Sequence, residues 1–208
     1  FNNGIDYGAG TDVSWYVNSP APTSFFAGDS KYEFFGGYDH ARQAGVVHVA
    51  DRHISPGKKF FTWGNGKSGH RWQQNLMDTE GEYLELMAGV YTDNQPDFTW
   101  IRPYETKSFS QFWYPVQEIG PMKNANTQAA LNLEVSGRNV KLGAYATEVL
   151  PNARIVLTCC SETHLDETVT LGPGKPWRQE ISLPDESCEC SLLLRLLSAD
   201  GNEIIRYT

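Results

Sequence analysis

Apolar and polar positions alternate with a period of two along most of this chain, in short runs broken by Gly, Pro, Asn and Asp, which is the pattern of strands and tight turns. The clearest run is 84–90. In an extended chain Leu84, Leu86, Ala88 and Val90 share one face, while Tyr83, Glu85, Met87 and Gly89 share the other. Residues 31–35, 46–51, 59–63, 99–101 and 108–117 supply further strands, the last with aromatics on both faces. Before them, residues 1–30 mix apolar pieces at 13–17 and 24–27 with turn residues, and no long helix fits there. Two glycine features interrupt the strands. Gly36-Gly37 permits a sharp turn or a close backbone approach before Tyr38-Asp39-His40. The turn-rich Gly64-Asn-Gly-Lys-Ser-Gly69 leads into His70-Arg-Trp-Gln-Gln-Asn75, a single helical turn or an irregular loop.

Beyond residue 129 the same alternation predicts short strands at 130–135, 140–146, 153–159, 167–171, 177–183, 190–197 and 203–207. Ser136-Gly-Arg-Asn139 and Ala199-Asp-Gly-Asn202 read as hairpin connections, and Gly172-Pro-Gly-Lys-Pro176 as a linker turn. Strands this short and closely spaced suggest a small immunoglobulin-like sandwich, without the buried tryptophan and paired cysteines of antibody domains. The character of the chain changes near Pro121. It has 6 Trp, 10 Tyr and 10 Phe, of which only Tyr145, Trp177 and Tyr207 lie beyond that proline. The expected domains are therefore 1–120, rich in aromatics, and 121–208, a plain structural module.

Composition narrows the partners. The 40% hydrophobic content of these 208 residues is ample for a core. A net charge of −8 and a pI near 5.1 argue against nucleic acid and against an anionic membrane surface, since both select basic proteins. No apolar run approaches the roughly 20 residues that span a bilayer. Phe1-Asn-Asn-Gly carries neither a start methionine nor a signal-peptide core, so the chain is expected to begin inside a longer polypeptide. Cys159, Cys160, Cys188 and Cys190 lack the Cys-x-x-Cys spacing of a zinc site. Read as reduced, core-like thiols, they lean towards a reducing compartment such as the cytoplasm. Neither a metal nor another cofactor is expected.

The candidate chemistry gathers around Glu85. It sits in the middle of a strand, and Tyr91, Thr92, Asp93, Asn94 and Gln95 follow with the donors and acceptors of a polar cleft. A partly desolvated carboxylate there suits a general acid or base. The same group serves equally as an anchor that hydrogen-bonds a ligand hydroxyl. A second acid within about 5–10 Å would complete a glycosidase pair, and Asp39, Asp51 and Asp93 are the choices. His40, beside the glycine turn, is the preferred histidine to assist Glu85, because His48 and His53 fall on opposite faces of their strand. Exposed aromatics contact flat, amphipathic ligands such as sugar rings. For Trp63, Trp72, Trp100 and Trp113 core packing competes with that role, and Trp72 in the glycine-rich segment is the exception, with Asn75 close behind it.

The joined motifs Phe35-Gly-Gly-Tyr-Asp-His40, Ala44-Gly-Val-Val-His-Val-Ala-Asp51, Ser55-Pro-Gly-Lys-Lys59, Trp63-Gly-Asn-Gly66 and Tyr83-Leu-Glu-Leu-Met-Ala-Gly-Val-Tyr-Thr-Asp-Asn-Gln-Pro-Asp-Phe98 carry a family resemblance. So do Pro103-Tyr-Glu-Thr-Lys107 and Gln111-Phe-Trp-Tyr-Pro-Val-Gln117. Over roughly residues 30–120 the chain resembles the uncharacterised domain that precedes tetratricopeptide repeats in large bacterial proteins. The resemblance implies an all-β fold, part of a galactose mutarotase-like β-supersandwich, followed here by the immunoglobulin-like sandwich. Relatives of that fold bind or process carbohydrates in a groove on one concave sheet. His70-Arg-Trp-Gln-Gln-Asn-Leu76 departs in spacing from the histidine-aromatic-asparagine motif of true mutarotases, so epimerase activity does not carry over. A complete supersandwich is larger than the matching region. The chain is therefore expected to hold its latter part, to self-associate over the exposed sheet, and to precede C-terminal repeats.

Two functional expectations result. One is a carbohydrate-active or carbohydrate-binding module taking a saccharide ligand, with Glu85 and His40 as catalytic residues and Asp39, Trp72, Asn75, Tyr91, Asp93, Asn94 and Gln95 binding the sugar. The other is a noncatalytic interaction or assembly module within a repeat-containing protein.

Overall fold

The structure is a computed structural model and describes residues 8, 10–28, 30–79, 81–94, 96–185 and 189–208. In chain order the strands are β1 (Thr23–Phe26), β2 (Phe34–Asp39), β3 (Ala44–Val49), β4 (Gly57–Thr62), β5 (Leu84–Gly89), β6 (Phe112–Gln117) and β7 (Asn124–Ala125). There follow β8 (Ala129–Ser136), β9 (Asn139–Ala146), β10 (Leu150–Cys159), β11 (Glu162–Leu171), β12 (Trp177–Ser182), β13 (Leu192–Leu197) and β14 (Glu203–Tyr207). A helix, α1 (Lys67–Leu76), separates β4 from β5. The protein is nearly all β and arranged in antiparallel sheets, as the alternation predicts. Its chain packs into two compact units, residues 1–30 with 53–108 and residues 31–52 with 109–208.

The first unit is built on a three-stranded sheet in the order β1-β4-β5. Pairing aligns Phe26 with Lys59 and Met87, Phe25 with Phe60 and Leu86, and Ser24 with Phe61 and Glu85. Because aligned residues share a face, the sheet has one side carrying Thr23, Thr62, Phe25, Phe60 and the buried Lys58, whose ammonium donates to the Ser55 carbonyl at 3.0 Å. Phe25 and Phe60 stack there with centroids 5.7 Å apart. The other side carries Phe26, Lys59, Met87, Phe61 and Glu85.

Between β4 and α1 the chain reverses on glycine. Gly64 adopts φ +80°, and a Cβ on Gly69 would lie 1.7 Å from the Gly64 carbonyl oxygen, so the first turn of α1 can close onto the loop only with hydrogen at that position. Thr62 Oγ1 accepts from the Gly64 amide at 2.9 Å and donates to the Tyr83 carbonyl at 3.2 Å, tying the turn to the entry of β5. The segment read as one helical turn or an irregular loop is thus a ten-residue helix. Its buried residues are Gly69 and Gln73, one small and one polar, so the face it buries has no apolar period for the sequence to reveal. Gln73 is held by the Tyr16 hydroxyl, to which its amide donates, and by His70 Nδ1 at 2.9 Å.

In the second unit three sheets share two cores. Sheets β12-β9-β8-β7 and β11-β10-β13-β14 enclose the larger one, with Leu131, Leu133, Leu142, Ile155, Leu157, Leu194 and Leu196 buried between them. This is the two-sheet sandwich that the alternation beyond residue 129 predicts. The third sheet, β2-β3-β6, lays Val47, Val49 and Val116 against Ile119, Ala125, Ala130 and Tyr145. In β8, Ala129, Leu131 and Leu133 belong to the first core and Ala130 to the second, so one strand is covered on both faces. Tyr114 joins the layers through its hydroxyl, which donates to the carbonyls of Asn126 at 2.8 Å and Ala129 at 3.1 Å. Burial pushes the Tyr114 phenol far above its usual range.

Several predicted boundaries move. Residues 99–101 form no strand, and in 108–117 only Phe112–Gln117 pairs. The first of these lies in a loop where the Trp100 carbonyl accepts from Lys107 and the Arg102 amide donates to Glu105, local contacts rather than pairing with a neighbouring strand. The expected strand 31–35 begins at Phe34 and runs through Gly36-Gly37, where a Cβ on Gly36 would meet the Val46 carbonyl oxygen at 2.3 Å; the glycine pair serves close backbone approach within the strand. Residues Glu189–Ser191 make a 3-10 turn ahead of β13.

Candidate functional site

The polar and aromatic side of the β1-β4-β5 sheet is the candidate site, and its composition follows from register. Glu85 stands opposite Phe61, and Lys59 opposite Met87, which makes Glu85 and Lys59 diagonal neighbours on one face, within reach of each other's long side chains. The Tyr83 hydroxyl donates to Glu85 Oε1 at 2.9 Å. Hydrogen bonding to the Glu85 carboxylate holds the Tyr83 phenol above its ordinary pKa, with desolvation and the nearby negative charge adding to the effect. The Lys59 ammonium donates to Asn94 Oδ1 at 2.8 Å and lies 5.5 Å from the centroid of the Phe26 ring. Phe26 and Met87 are exposed.

A run of rings extends the face. Phe61 meets Trp63 edge-on at 5.2 Å, and Trp63 stacks on Trp72 of α1 at 4.5 Å with planes 13° apart. Trp72 retains 42% of its surface, so its outer side is open while its inner side is fixed by Trp63. The expectation that Trp72 escapes the core agrees with this exposure. Trp63 keeps its indole Nε1 buried with no hydrogen-bond acceptor among the described residues.

The other expected site residues are distributed as follows. Asn94 belongs to the face through Lys59. Asp93 is exposed and accepts from the Asn94 amide at 3.0 Å, a local turn contact. Tyr91 has φ +65°, donates its amide to the Ile54 carbonyl at 2.7 Å and carries Lys107 over its ring at 5.0 Å. Asn75 is exposed on α1, and Gln95 lies outside the described residues. Glu85 is in an edge strand, because β4 takes the middle of the sheet; the mid-strand position read from the sequence is not a central-strand position.

Asp39 and His40 belong to the second unit, at the tip of the β2–β3 hairpin. Asp39 Oδ1 accepts from the amides of Ala41 at 2.8 Å and Arg42 at 3.0 Å, and its carboxylate lies 3.6 Å from the Arg42 guanidinium. The Arg42 amide, then the Ala41 amide and the Arg42 charge, hold the Asp39 carboxyl below its usual pKa. That is a turn-closing role. His40 is exposed, its ring edge-on to Tyr38 at 5.4 Å. His48 is fully buried between the rings of Phe35, at 5.0 Å, and Trp113, at 4.6 Å, and behaves as a packed aromatic. Among the described residues no group of three or more His, Cys, Asp or Glu side chains is placed to hold a metal ion. Lys59, Phe26, Phe61 and Tyr83 were not among the expected site residues. The signal for them was the alternation of 57–62 once aligned with 84–89, since Lys59 and Phe61 fall on the Glu85 side.

Fold and face together define an all-β protein with an aromatic, hydrogen-bonding sheet surface. The chain belongs to the family described as Domain of unknown function (DUF5107), whose model matches residues 4–116. Residues 124–207 match the model described as YphG-like protein, second domain. No solved structure matches the chain.

Proposed function

We propose that the chain is a saccharide-binding module of a larger protein, in which the Glu85 face holds the sugar and Glu85 acts as a hydrogen-bond anchor. The observation that supports this reading is the combination on one sheet surface of a carboxylate, a Lys–Asn pair and an aromatic run ending in the open ring of Trp72. Sugars present hydroxyls to such donors and acceptors and apolar C–H faces to such rings. Hydrolysis would call for a second carboxylate within about 5–10 Å of the first. On this face Glu85 has Phe61 as its register partner and Lys59 as a diagonal neighbour, and Tyr83 donates to its carboxylate, an arrangement that suits a hydrogen-bond anchor, which needs no second acid. The same proposal takes residues 1–120 as the latter part of a galactose mutarotase-like supersandwich. It takes 121–208 as an immunoglobulin-like module, with tetratricopeptide repeats following in the full-length protein.

Isothermal titration of the chain with neutral oligosaccharides tests the proposal. Glu85→Gln and Trp72→Ala should each weaken binding by about tenfold or more, equivalent to about 1.4 kcal/mol. No binding across the panel, or unchanged affinity in both variants, would overturn it. Turnover of a glycoside that disappears in Glu85→Gln would replace the anchor role with a catalytic one.

A further inference from the structure

The loop after β5 carries a concentration of exposed rings that the Glu85 face does not use. Phe98 is 67% exposed, Trp100 75%, Ile101 58% and Tyr104 wholly so. Isolated exposed apolar residues are ordinary, but several together on one short segment mark a binding surface.

The loop is built to display them. The Lys107 ammonium donates to Thr99 Oγ1 at 3.1 Å and to the Trp100 carbonyl at 2.8 Å, with the Tyr91 ring beneath it. The Arg102 amide donates to Glu105 Oε2 at 2.8 Å, and the Glu105 amide donates to the Arg102 carbonyl at 2.9 Å, closing a turn. Within that turn Tyr104 sits at φ +67°, a conformation costly for a bulky residue and maintained by the bonds on either side. Phe98 and Trp100 brace each other edge-on at 5.1 Å. A shallow depression opens between Trp100, Arg102, Tyr104 and Glu105.

We propose that this loop is a second saccharide subsite, with Trp100 and Tyr104 stacking on sugar rings and Arg102 and Glu105 meeting their hydroxyls. It rests on the saccharide reading of the Glu85 face and extends the ligand class to oligosaccharides long enough to engage a second aromatic platform. The polar groups decide the occupant. Arg102 and Glu105 line the same depression as Trp100 and Tyr104 and supply charged donors and acceptors beside the two rings. Alternating ring faces with donors and acceptors is what an amphipathic, hydroxyl-rich ligand requires. Display on a loop already ordered by its own hydrogen bonds also reduces the conformational entropy lost on binding.

The test titrates cellohexaose, xylohexaose and mannohexaose into the wild-type chain, the Trp100→Ala/Tyr104→Ala double variant, and Glu85→Gln. Circular dichroism verifies that each is folded, and sedimentation records self-association. The double variant should bind the preferred hexasaccharide at least about tenfold more weakly than the wild type, and Glu85→Gln should weaken it independently. If Glu85→Gln loses affinity and the double variant keeps it, the loop is not a subsite and the proposal fails, while the Glu85 reading stands. If the double variant alone loses affinity, the Glu85 reading fails and the loop is the site. A wild-type chain that binds none of the three hexasaccharides overturns both readings. If that chain also self-associates until Trp100 and Tyr104 are removed, the loop is a protein interface.

Discussion

Tyr83 and Glu85 are two residues apart in an extended segment, so their side chains emerge on the same face, and the phenol donates to the carboxylate at 2.9 Å. The carboxylate is thereby oriented by its own strand. This pairing makes Tyr83 a reporter for Glu85. Its pKa is raised in the folded chain, first by the hydrogen bond to Glu85. A raised folded pKa contributes stability that is present below the unfolded value of about 10 and is lost as pH rises through the folded value. Glu85→Gln removes the charge that disfavours the phenolate, so Tyr83 should ionise at lower pH in that variant. Ultraviolet difference titration or ring-carbon NMR checks this. An unchanged Tyr83 titration would show that the two groups are not coupled in solution.

Asp39 was expected to bind sugar, and its contacts instead place it in the hairpin turn. Its depressed pKa has the opposite linkage, with stability present above the unfolded value of about 3.9 and lost as pH falls through the folded one. Asp39→Ala should therefore melt at a lower temperature than the wild type near neutral pH, with the difference closing in acid. Oligosaccharide affinity should be unaffected. Thermal melts across pH, paired with titration calorimetry, separate the turn role from a ligand role, and a loss of affinity at unchanged melting temperature would reinstate Asp39 as a binding residue.

The second core makes residues far apart in the chain depend on one another. Val47 is fully buried against Ala130 and Tyr145. Truncation to Ala should cost roughly 1.5–3 kcal/mol, from the lost transfer energy of two methyl groups together with an incompletely collapsed cavity. The effect should reach the sandwich, seen as faster hydrogen exchange at the amides of β8 and β9 as well as those of β2 and β3. Acceleration confined to β2 and β3 would mean that the shared core carries little of the stability of β8 and β9.

Much of this was legible in the sequence. The alternation of 84–90 states which side chains share a face with Glu85, and the pairing with β4 keeps Leu84 and Leu86 apart from Glu85 and Met87 as written. The hairpin turns at Ser136-Gly-Arg-Asn139 and Ala199-Asp-Gly-Asn202 fall where their glycines place them. Trp72 is exposed, in keeping with its glycine-rich surroundings. The helix α1 was legible only in part, because Gly69 and Gln73 fill its buried side by small size and by hydrogen bonding rather than by hydrophobicity.

By itself the sequence determined the strands, their two faces and most of their turns, since side-chain alternation and backbone φ requirements are local properties of a few residues. Tertiary structure decided which strands are neighbours. Main-chain hydrogen bonds between strands are nearly indifferent to side-chain identity, so nothing within 84–89 says that β5 ends a sheet or that Lys59 and Phe61 stand beside Glu85. Nor does 34–49 say that its valines pack on Ala130 and Tyr145, a match of shape between surfaces that exists only once both have folded.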